Sequence, residues 1–149
     1  MQKIDTFKVV CYIVRDDRLL VFRHVGVSDE ECGIQVPAGT IKAGESPSQA
    51  ALREAAEETG LDGIEIIREL AQGSYDITPE RYERQNRHYF QLRLTQPTPD
   101  RWTSWELHDG LADPTEFECF WIPLTDAHIL QSGQGSEIWR MFEPLEVEA

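Results

Sequence analysis

Three glutamates, Glu54, Glu57 and Glu58, are spaced so that a helix would turn their carboxylates to one side. At about 100° per residue they cluster within a third of a turn, opposite a face that contains Leu52 and Ala55. This cluster destabilises the helix, because Glu54 and Glu58 repel each other and Glu57 and Glu58 lie at the negative end of the helix dipole. A hard divalent cation takes carboxylate oxygens as ligands and would turn the repulsion into binding. The cluster therefore indicates either a metal site or a solvated acidic face.

The helix that must carry these glutamates has clear boundaries in the sequence. Ser46 is a good N-cap, Pro47 suits the first helical position, and Gln49 stands where a capping box places Glu or Gln. Gly60 is the expected left-handed stop. The sequence therefore predicts a helix over Pro47–Thr59.

The pattern around this helix predicts strands on both sides of it. Residues 7–14 and 19–22 read as a hairpin with a tight charged turn, and further strands are predicted over residues 64–70, 86–95 and 117–124. Residues 96–110 carry two prolines and are predicted as a long loop, and a last helix is predicted over residues 137–142. This order indicates an α/β protein in which a mixed sheet is sandwiched by helices. With 149 residues, we expect a single domain over residues 1–149.

Composition restricts the expected partners and location. The formal net charge of −13 would repel the phosphates of DNA or RNA, so nucleic acid is not an expected partner. No apolar stretch approaches the roughly 20 residues that span a bilayer, and no signal-peptide pattern is present. We therefore expect a soluble, cytoplasmic protein without a membrane partner. Cys11, Cys32 and Cys119 are widely spaced and odd in number, which predicts reduced thiols instead of disulfides or a zinc site.

Residues 39–61 match a known motif at every fixed position. They read Gly39, then Glu45 after five residues, then after seven more Arg53-Glu54-Ala55-x-Glu57-Glu58-x-Gly60-Leu61. This resembles the Nudix box, G-x5-E-x7-R-E-U-x-E-E-x-G-U with U apolar. If each fixed residue has a usage of roughly 6–7%, chance agreement at one start is on the order of 10⁻⁸. The sequence thus resembles the Nudix (MutT-like) hydrolase family, with Ala55 smaller than the usual Leu, Val or Ile.

The resemblance implies a fold, a reaction and a cofactor. The family fold is an α/β/α sandwich around a mixed sheet, and the expected activity is hydrolysis of a nucleoside diphosphate linked to another group. The expected substrate is therefore a small-molecule nucleotide derivative, and the expected cofactor is Mg²⁺ or Mn²⁺. The resemblance places metal ligands at Glu54, Glu57 and Glu58, with a backbone carbonyl at Ala38 or Gly39. Because dimers are frequent among relatives, a homodimer is compatible with it.

The resemblance also implies catalytic and supporting roles. Arg53 is expected to support the site by pairing with glutamates such as Glu45, although an exposed helical ion pair would explain the same residues. The general base is open, because some relatives use the glutamate at the Glu54 position and others use a glutamate on a downstream loop.

Three further residues are candidates outside the box. Glu116 and Glu118 precede an apolar run where the family often places an additional metal-linked carboxylate, but an acidic loop tip is an equal alternative. Arg23, at the end of the second predicted strand, is a candidate substrate contact or a surface arginine. Four aromatic residues are candidates to stack on a nucleobase, although packing in the core or at an interface is the favoured alternative for each: Tyr75, Tyr82, Trp102 and Trp105.

Two other functions of the same fold stay open at this stage. A regulatory module would bind a nucleotide without hydrolysing it, and the intact glutamates weigh against that reading. Removal of mRNA caps would ordinarily require a basic surface, and the charge of −13 argues against it.

Overall fold

The computed structural model of the protein describes residues 2–27, 33–130 and 133–143. One α-helix and seven strands are present there: β1 Ile4–Arg15, β2 Arg18–His24, β3 Ala38–Thr40, α1 Pro47–Thr59, β4 Ile64–Asp76, β5 Glu83–Leu94, β6 Arg101–Glu106 and β7 Thr115–Pro123. Short 3₁₀ helices cover His108–Gly110, Leu124–Ile129 and Ile138–Phe142. Every predicted strand is present, and the helix predicted near the C-terminus is a 3₁₀ helix. Among the helices described here, none is long and apolar enough to cross a membrane.

The strands form one mixed sheet in the order β4-β5-β1-β2-β7-β6, with β3 paired to β1. β1 and β5 run parallel over residues 4–13 of β1, and the other strand pairs are antiparallel. Asp16 and Asp17 join β1 to β2 with φ angles of 50° and 62°. Two residues with positive φ suit the twist of a tight hairpin. The predicted mixed sheet and its first hairpin are therefore confirmed.

The predicted loop over residues 96–110 is wrong in its central part. Arg101–Glu106 forms β6, which pairs antiparallel with β7. Trp102 of β6 packs against the core beneath α1, and its Nε1 donates a hydrogen bond of 2.8 Å to the carbonyl of Thr59. The strand is thus stabilised by pairing and by tertiary packing, which override the local signal of the prolines that precede it.

A hydrophobic core lies on each face of the sheet. Successive residues of β1 point to opposite faces. Val9, Cys11 and Ile13 lie on the face that α1 covers, where they join the fully buried Ala50, Ala51 and Ala55 of the helix. The small side chain of Ala55 thus belongs to an alanine surface through which α1 packs on the sheet. On the opposite face, the second core contains Val10, Tyr12, Ala127, Leu130 and Ile138. The sheet therefore lies between α1 and C-terminal 3₁₀ segments.

The described cysteines are buried free thiols. Cys11 and Cys119 both lie in the core beneath α1. Burial raises the pKa of both thiols, to about 12 for Cys119. Neither is suited to act as a thiolate nucleophile at neutral pH. Cys32 lies outside the described residues.

Candidate functional site

Local interactions fix where α1 begins and ends. Ser46 Oγ accepts a hydrogen bond of 3.1 Å from the backbone N–H of Gln49, and the Gln49 side chain accepts one of 2.9 Å from the N–H of Ser46. Gly60 ends the helix in the left-handed conformation at φ 71°. These caps confirm the predicted helix and its two ends.

β3 lies against two of these glutamates. The carboxylate of Glu54 occupies the space beside the Cα of Gly39, where a Cβ atom would overlap it. Glu58 Oε1 accepts a hydrogen bond of 3.1 Å from the N–H of Ala38. Any side chain at position 39 would therefore displace Glu54. The metal-ligand role expected for a carbonyl of Ala38 or Gly39 stays a prediction.

Arg53 connects the carboxylates of the site. Its Nε and Nη2 donate to the two carboxylate oxygens of Glu45 at 2.7 and 2.9 Å, which is a bidentate pair. Nη1 donates to Glu54 at 2.7 Å and to Glu57 at 3.3 Å, and Nη2 also donates to the carbonyl of Thr40 at 2.9 Å. The Arg53 side chain is only 19% exposed. The geometry is therefore that of a fixed, part-buried cation among three carboxylates.

Negative charge accumulates around Glu57 and Glu58. Burial and the charge of Glu54 raise the pKa of Glu57. Burial, with the charge of Glu54 and a hydrogen bond to it, raises the pKa of Glu58 well above its usual range. For Glu57, the positive charges of Arg53 and Lys42 act in the opposite direction but do not cancel the effect of burial and of the neighbouring carboxylates. A bound cation would supply further positive charge.

These donors fit a hard divalent cation, although they are not arranged as a finished metal site. Within residues 2–27, 33–130 and 133–143, no three acidic, histidine or cysteine side chains converge with metal-binding geometry. Glu54 and Glu57 are instead held by Arg53. Nevertheless, Glu54, Glu57 and Glu58 offer only oxygen atoms, which is the donor set that Mg²⁺ and Mn²⁺ prefer. The carboxylates would need to turn toward the cation to bind it.

The crowding of charge predicts that Glu58→Gln stabilises the metal-free protein at neutral pH, by about 0.5–2 kcal/mol. The glutamine oxygen can still accept from Ala38, and its amide can donate to Glu54. Because the folded-state pKa of Glu58 is raised, wild-type stability falls as pH rises above the unfolded value of about 4.3. The advantage of the variant should therefore grow above that pH.

Thermal melts in EDTA between pH 4 and 8 measure this effect. The exposed Glu65, which pairs with Arg93 across β4 and β5, provides the matched control Glu65→Gln, expected to show little pH-dependent change. If the difference in melting temperature between wild type and Glu58→Gln does not change between pH 4 and 8, Glu58 is not a buried carboxylate that its neighbours repel.

β6 contributes a fourth carboxylate, Glu106, which sequence reasoning missed. By strand alternation Glu106 faces the same side as Trp102 and Ser104, which is the side covered by α1. Its charge contributes to the raised pKa of both Glu57 and Glu58. Within the part of the chain that the structure describes, Glu106 Oε2 is buried and has no hydrogen-bond partner. The sequence places Glu106 on this face only if residues 101–106 are recognised as a strand, in which alternate side chains share a face.

Glu106 and Glu57 share a cleft of about 320 Å³. Trp105, Leu107 and His108 also line it. Trp105 is 53% exposed and, by strand alternation, leaves β6 on the face opposite Glu106. The cleft thus combines oxygen ligands with an apolar wall.

Glu116, Glu118 and Arg23 do not face the glutamates of the box that lie on α1, which are Glu54, Glu57 and Glu58. The neighbours Phe117 and Cys119 point toward α1, so Glu116 and Glu118 point to the opposite face of β7. Glu118 forms ion pairs with Arg101 and, at 3.6 Å, with Arg23. The Arg23 guanidinium lies over the ring of Phe120, also on that opposite face. The family resemblance suggested these residues as site candidates, whereas strand alternation turns them away from the glutamates of α1.

A second cleft, of about 280 Å³, adjoins Ala38 and Gly39 on the face away from α1. We call it the cationic cleft because Lys8, Arg81 and Arg87 line it. It lies across β3 from the glutamates. Among the described residues that line it are Ala38 and Gly39 of β3, but none of Glu54, Glu57, Glu58 and Glu106.

The other candidate aromatic residues have different surroundings. Trp102 is part of the core packing, and Tyr82 lies beneath the Lys3 ammonium, 5.0 Å from its ring centre. Tyr75 lies beneath the Arg87 guanidinium at 4.4 Å. Of the four aromatic candidates, Trp105 is the one that lines the cleft of Glu57 and Glu106.

The chain is similar to known proteins in sequence and in fold. The family model of the NUDIX domain matches residues 6–142. An RNA pyrophosphohydrolase of Brucella ovis is 31% identical over 110 residues, covering 62% of this chain and 56% of that protein. An RNA pyrophosphohydrolase of Nitratiruptor sp. is 43% identical over 75 residues, covering 45% of this chain and 48% of that protein. The chain thus spans about half the length of the curated relatives it matches.

The fold is also similar to that of solved structures. The MutT protein from Methanosarcina mazei Go1 superposes with a TM-score of 0.66 at 16% identity, covering 97% of this chain and 99% of that one. At this identity the likeness concerns the fold alone. Together with the family match over residues 6–142 and the intact box, it shows that the chain belongs to the NUDIX domain family.

Proposed function

We propose that the protein is a metal-dependent pyrophosphohydrolase that cleaves a phosphoanhydride bond in a nucleoside diphosphate linked to another group. The observation that carries this proposal is the arrangement of Glu54, Glu57 and Glu58 on α1 against the backbone of β3, tied together by Arg53. Family membership and the names of the curated relatives support it.

In this proposal Glu54, Glu57 and Glu58 hold Mg²⁺ or Mn²⁺, and a carbonyl of Ala38 or Gly39 adds a ligand. When bound, such a cation neutralises charge on the phosphates and lowers the pKa of a coordinated water. The resemblance also supports Glu54 as a candidate general base. Arg53, anchored through Glu45, keeps Glu54 and Glu57 oriented and limits their mutual repulsion.

Glu106 has the properties of a general base for the attacking water. Its Oε2 has no hydrogen-bond partner among the described residues, and Glu106 lines the same cleft as Glu57. The neighbouring Trp105 provides a face on which a nucleobase can stack. We therefore propose Glu106, in place of Glu116 and Glu118, as the additional carboxylate of the site.

The substrate is proposed to be a small-molecule nucleotide derivative, with the phosphorylated 5′ end of an RNA as second candidate. The relatives named RNA pyrophosphohydrolase favour the second candidate, at odds with the exclusion of nucleic acid that the net charge of −13 suggested. The cationic cleft supports either source of phosphate, because local charge and not net charge governs a small site. A single domain, a cytoplasmic location and compatibility with a homodimer remain predictions from the sequence.

The test is hydrolysis of a panel of nucleoside diphosphate derivatives, nucleoside triphosphates and a 5′-triphosphorylated oligonucleotide, with Mg²⁺ or with EDTA. Wild type should release products only with the metal. Glu106→Gln should reduce kcat by about 100-fold or more, because loss of a positioned base commonly reduces rates 10²–10⁴-fold.

Glu116→Gln is the matched control, since it makes the same chemical change on the opposite face of the neighbouring strand. Its activity should stay within about twofold of wild type, as for a surface substitution. Metal-independent turnover would contradict the proposed chemistry, and binding without turnover across the panel would favour a nucleotide-binding module. Loss of activity in Glu116→Gln but not in Glu106→Gln would reverse the assignment of the extra carboxylate.

A further inference from the structure

The two oxygens of the Glu106 carboxylate, which the proposed function uses as a base, have different surroundings. Oε1 accepts a hydrogen bond of 3.4 Å from the backbone N–H of His108. Oε2 is buried and has no hydrogen-bond partner within residues 2–27, 33–130 and 133–143. Only Oε1 therefore contacts the loop that follows β6.

The backbone conformation of His108 explains this contact. His108 has a φ angle of 54° and begins the 3₁₀ turn His108–Gly110. Few residues other than glycine adopt this left-handed region, but asparagine, aspartate and histidine are enriched there. The turn directs the N–H of His108 back to the side chain two residues earlier. Position 108 therefore requires a residue that tolerates positive φ.

The ring of His108 lies between the ends of β6 and β7. Its Nδ1 is 4.0 Å from Glu106 Oε1, and its Nε2 is 2.7 Å from Thr115 Oγ1. Glu106 and Thr115 are register partners and form the pair nearest the loop that joins the two strands. One nitrogen of the ring is thus attached to β7, and the other faces the carboxylate of β6.

Hydrogen-bond chemistry favours one tautomer of the neutral ring. A carboxylate only accepts, so the nitrogen that faces Glu106 is favoured as Nδ1–H, and Nε2 then accepts from the Thr115 hydroxyl. The other tautomer would direct the Nδ1 lone pair at a negative charge. A distance of 4.0 Å is too long for a hydrogen bond. Contacts of a catalytic acid or base are, however, commonly longer before substrate binds.

We propose that His108, held by Thr115, is a positioning residue for Glu106. Its backbone N–H and its ring N–H hold Oε1, so that the carboxylate stays beside Glu57 with Oε2 available for the proton of the attacking water. The inference rests on the proposed role of Glu106 as general base. His108 itself transfers no proton and binds no substrate.

Steady-state kinetics of variants at positions 108 and 115 test this role. His108→Leu should reduce kcat about 10- to 100-fold and change KM less than about twofold, because outer partners of an active-site group commonly contribute this much. His108→Asn should retain kcat to within about threefold of wild type, since asparagine suits positive φ and has an amide N–H near the position of Nδ1. Thr115→Val should reduce kcat about 3- to 10-fold, as for the loss of one hydrogen bond.

A double-mutant cycle separates a role through Glu106 from an independent one. In the Glu106→Gln background, His108→Leu should reduce kcat by less than about a further twofold, because the group that it positions is no longer a base. His128→Leu is the matched control, since it removes an exposed histidine whose Nδ1 donates to the carbonyl of Thr125 at 3.3 Å. Its kcat should stay within about twofold of wild type.

Three kinetic results would overturn the proposal. The first is a full loss from His108→Leu on top of that from Glu106→Gln, which would show an independent role. The second is a loss confined to KM, which would indicate a substrate contact. The third is equal loss in His108→Asn and His108→Leu, which would show that an N–H donor is not what matters. If His108→Leu does not fold, His108→Asn and Thr115→Val still test the role.

The tautomer of His108 tests the arrangement without any turnover. Long-range ¹H–¹⁵N spectra at alkaline pH, where imidazole is neutral, should show His108 as Nδ1–H. Glu106→Leu should weaken this preference, because the Thr115 hydroxyl alone can either donate or accept. This tautomer in a protein without turnover would refute the proposed function and confirm the contact between His108 and Glu106. Turnover with His108 as Nε2–H would refute the positioning role alone.

Discussion

A Glu57→Gln protein should remain folded, bind Mg²⁺ weakly and lose at least about 100-fold of its turnover. The Glu57 side chain is 37% exposed and pairs with Arg53 at 3.3 Å, so an amide of the same shape leaves no cavity. Burial and the charge of Glu54 raise the pKa of Glu57, which places its carboxylate where a cation is favoured. Groups one shell beyond a metal already affect affinity or activity 10–100-fold, so a direct ligand should matter at least as much.

Calorimetric titration with Mg²⁺ and steady-state turnover measure the two parts of this prediction separately. Glu65→Gln is the control, because it removes an exposed carboxylate on β4 that pairs with Arg93. The melting temperature of Glu57→Gln in EDTA should equal or exceed that of wild type, since the variant removes a repelling charge. Wild-type turnover in Glu57→Gln at limiting Mg²⁺ would refute the assignment of this residue as a metal ligand.

The parts of the structure that the sequence predicted best depend on local interactions. Ser46, Gln49 and Gly60 determine the ends of α1 through contacts a few residues apart, and the helix has the boundaries that these residues predicted. Helix geometry predicts that Glu54, Glu57 and Glu58 point to one side, but it does not predict which side is buried: Glu58 is 6% exposed and Leu52, expected on the opposite apolar face, is 37% exposed. The pairing of Arg53 with Glu45 was expected from the family resemblance and is present as a bidentate contact.

The parts that the sequence did not predict depend on strand pairing between distant segments. Glu106 reaches the site because β6 pairs with β7 and places Trp102 beneath α1, neither of which is evident from residues 96–110. Lys8 and Arg87 are neighbours only because β1 and β5 pair in parallel with that register. A shift of one residue in either register would turn these side chains to the opposite face.

Arg53→Gln should be strongly destabilised and nearly inactive. The substitution removes hydrogen bonds to Glu45, Glu54, Glu57 and the carbonyl of Thr40, and leaves part-buried carboxylates without their cation. We expect a loss of about 2–4 kcal/mol in the free energy of unfolding, because breaking a part-buried charge network leaves unpaired charge behind. Arg53→Lys should recover part of the stability, since it restores the charge but not the planar, bidentate geometry.

Urea unfolding at pH 7 measures this loss, with Arg93→Gln as the matched control. The exposed ion pair between Arg93 and Glu65 should contribute less than about 1 kcal/mol to the free energy of unfolding. A loss in Arg53→Gln no larger than that of the control would show that Arg53 is an ordinary surface ion pair, which is the alternative reading of its spacing from Glu45.

The stabilisation of the fold by Arg53 should also depend on pH, and should decrease at low pH because its partner Glu45 becomes protonated. Hydrogen bonds from Arg53, with one from the backbone of Lys42, lower the pKa of Glu45 to about 2. Because this folded-state pKa is depressed, the stabilisation is fully present above the unfolded value of about 4.3 and is lost as pH falls toward 2. The stability difference between wild type and Arg53→Gln should therefore narrow in that window. A constant difference from pH 5 to pH 2.5, measured by urea unfolding, would mean that Arg53 stabilises the fold through packing and not through the ionised Glu45.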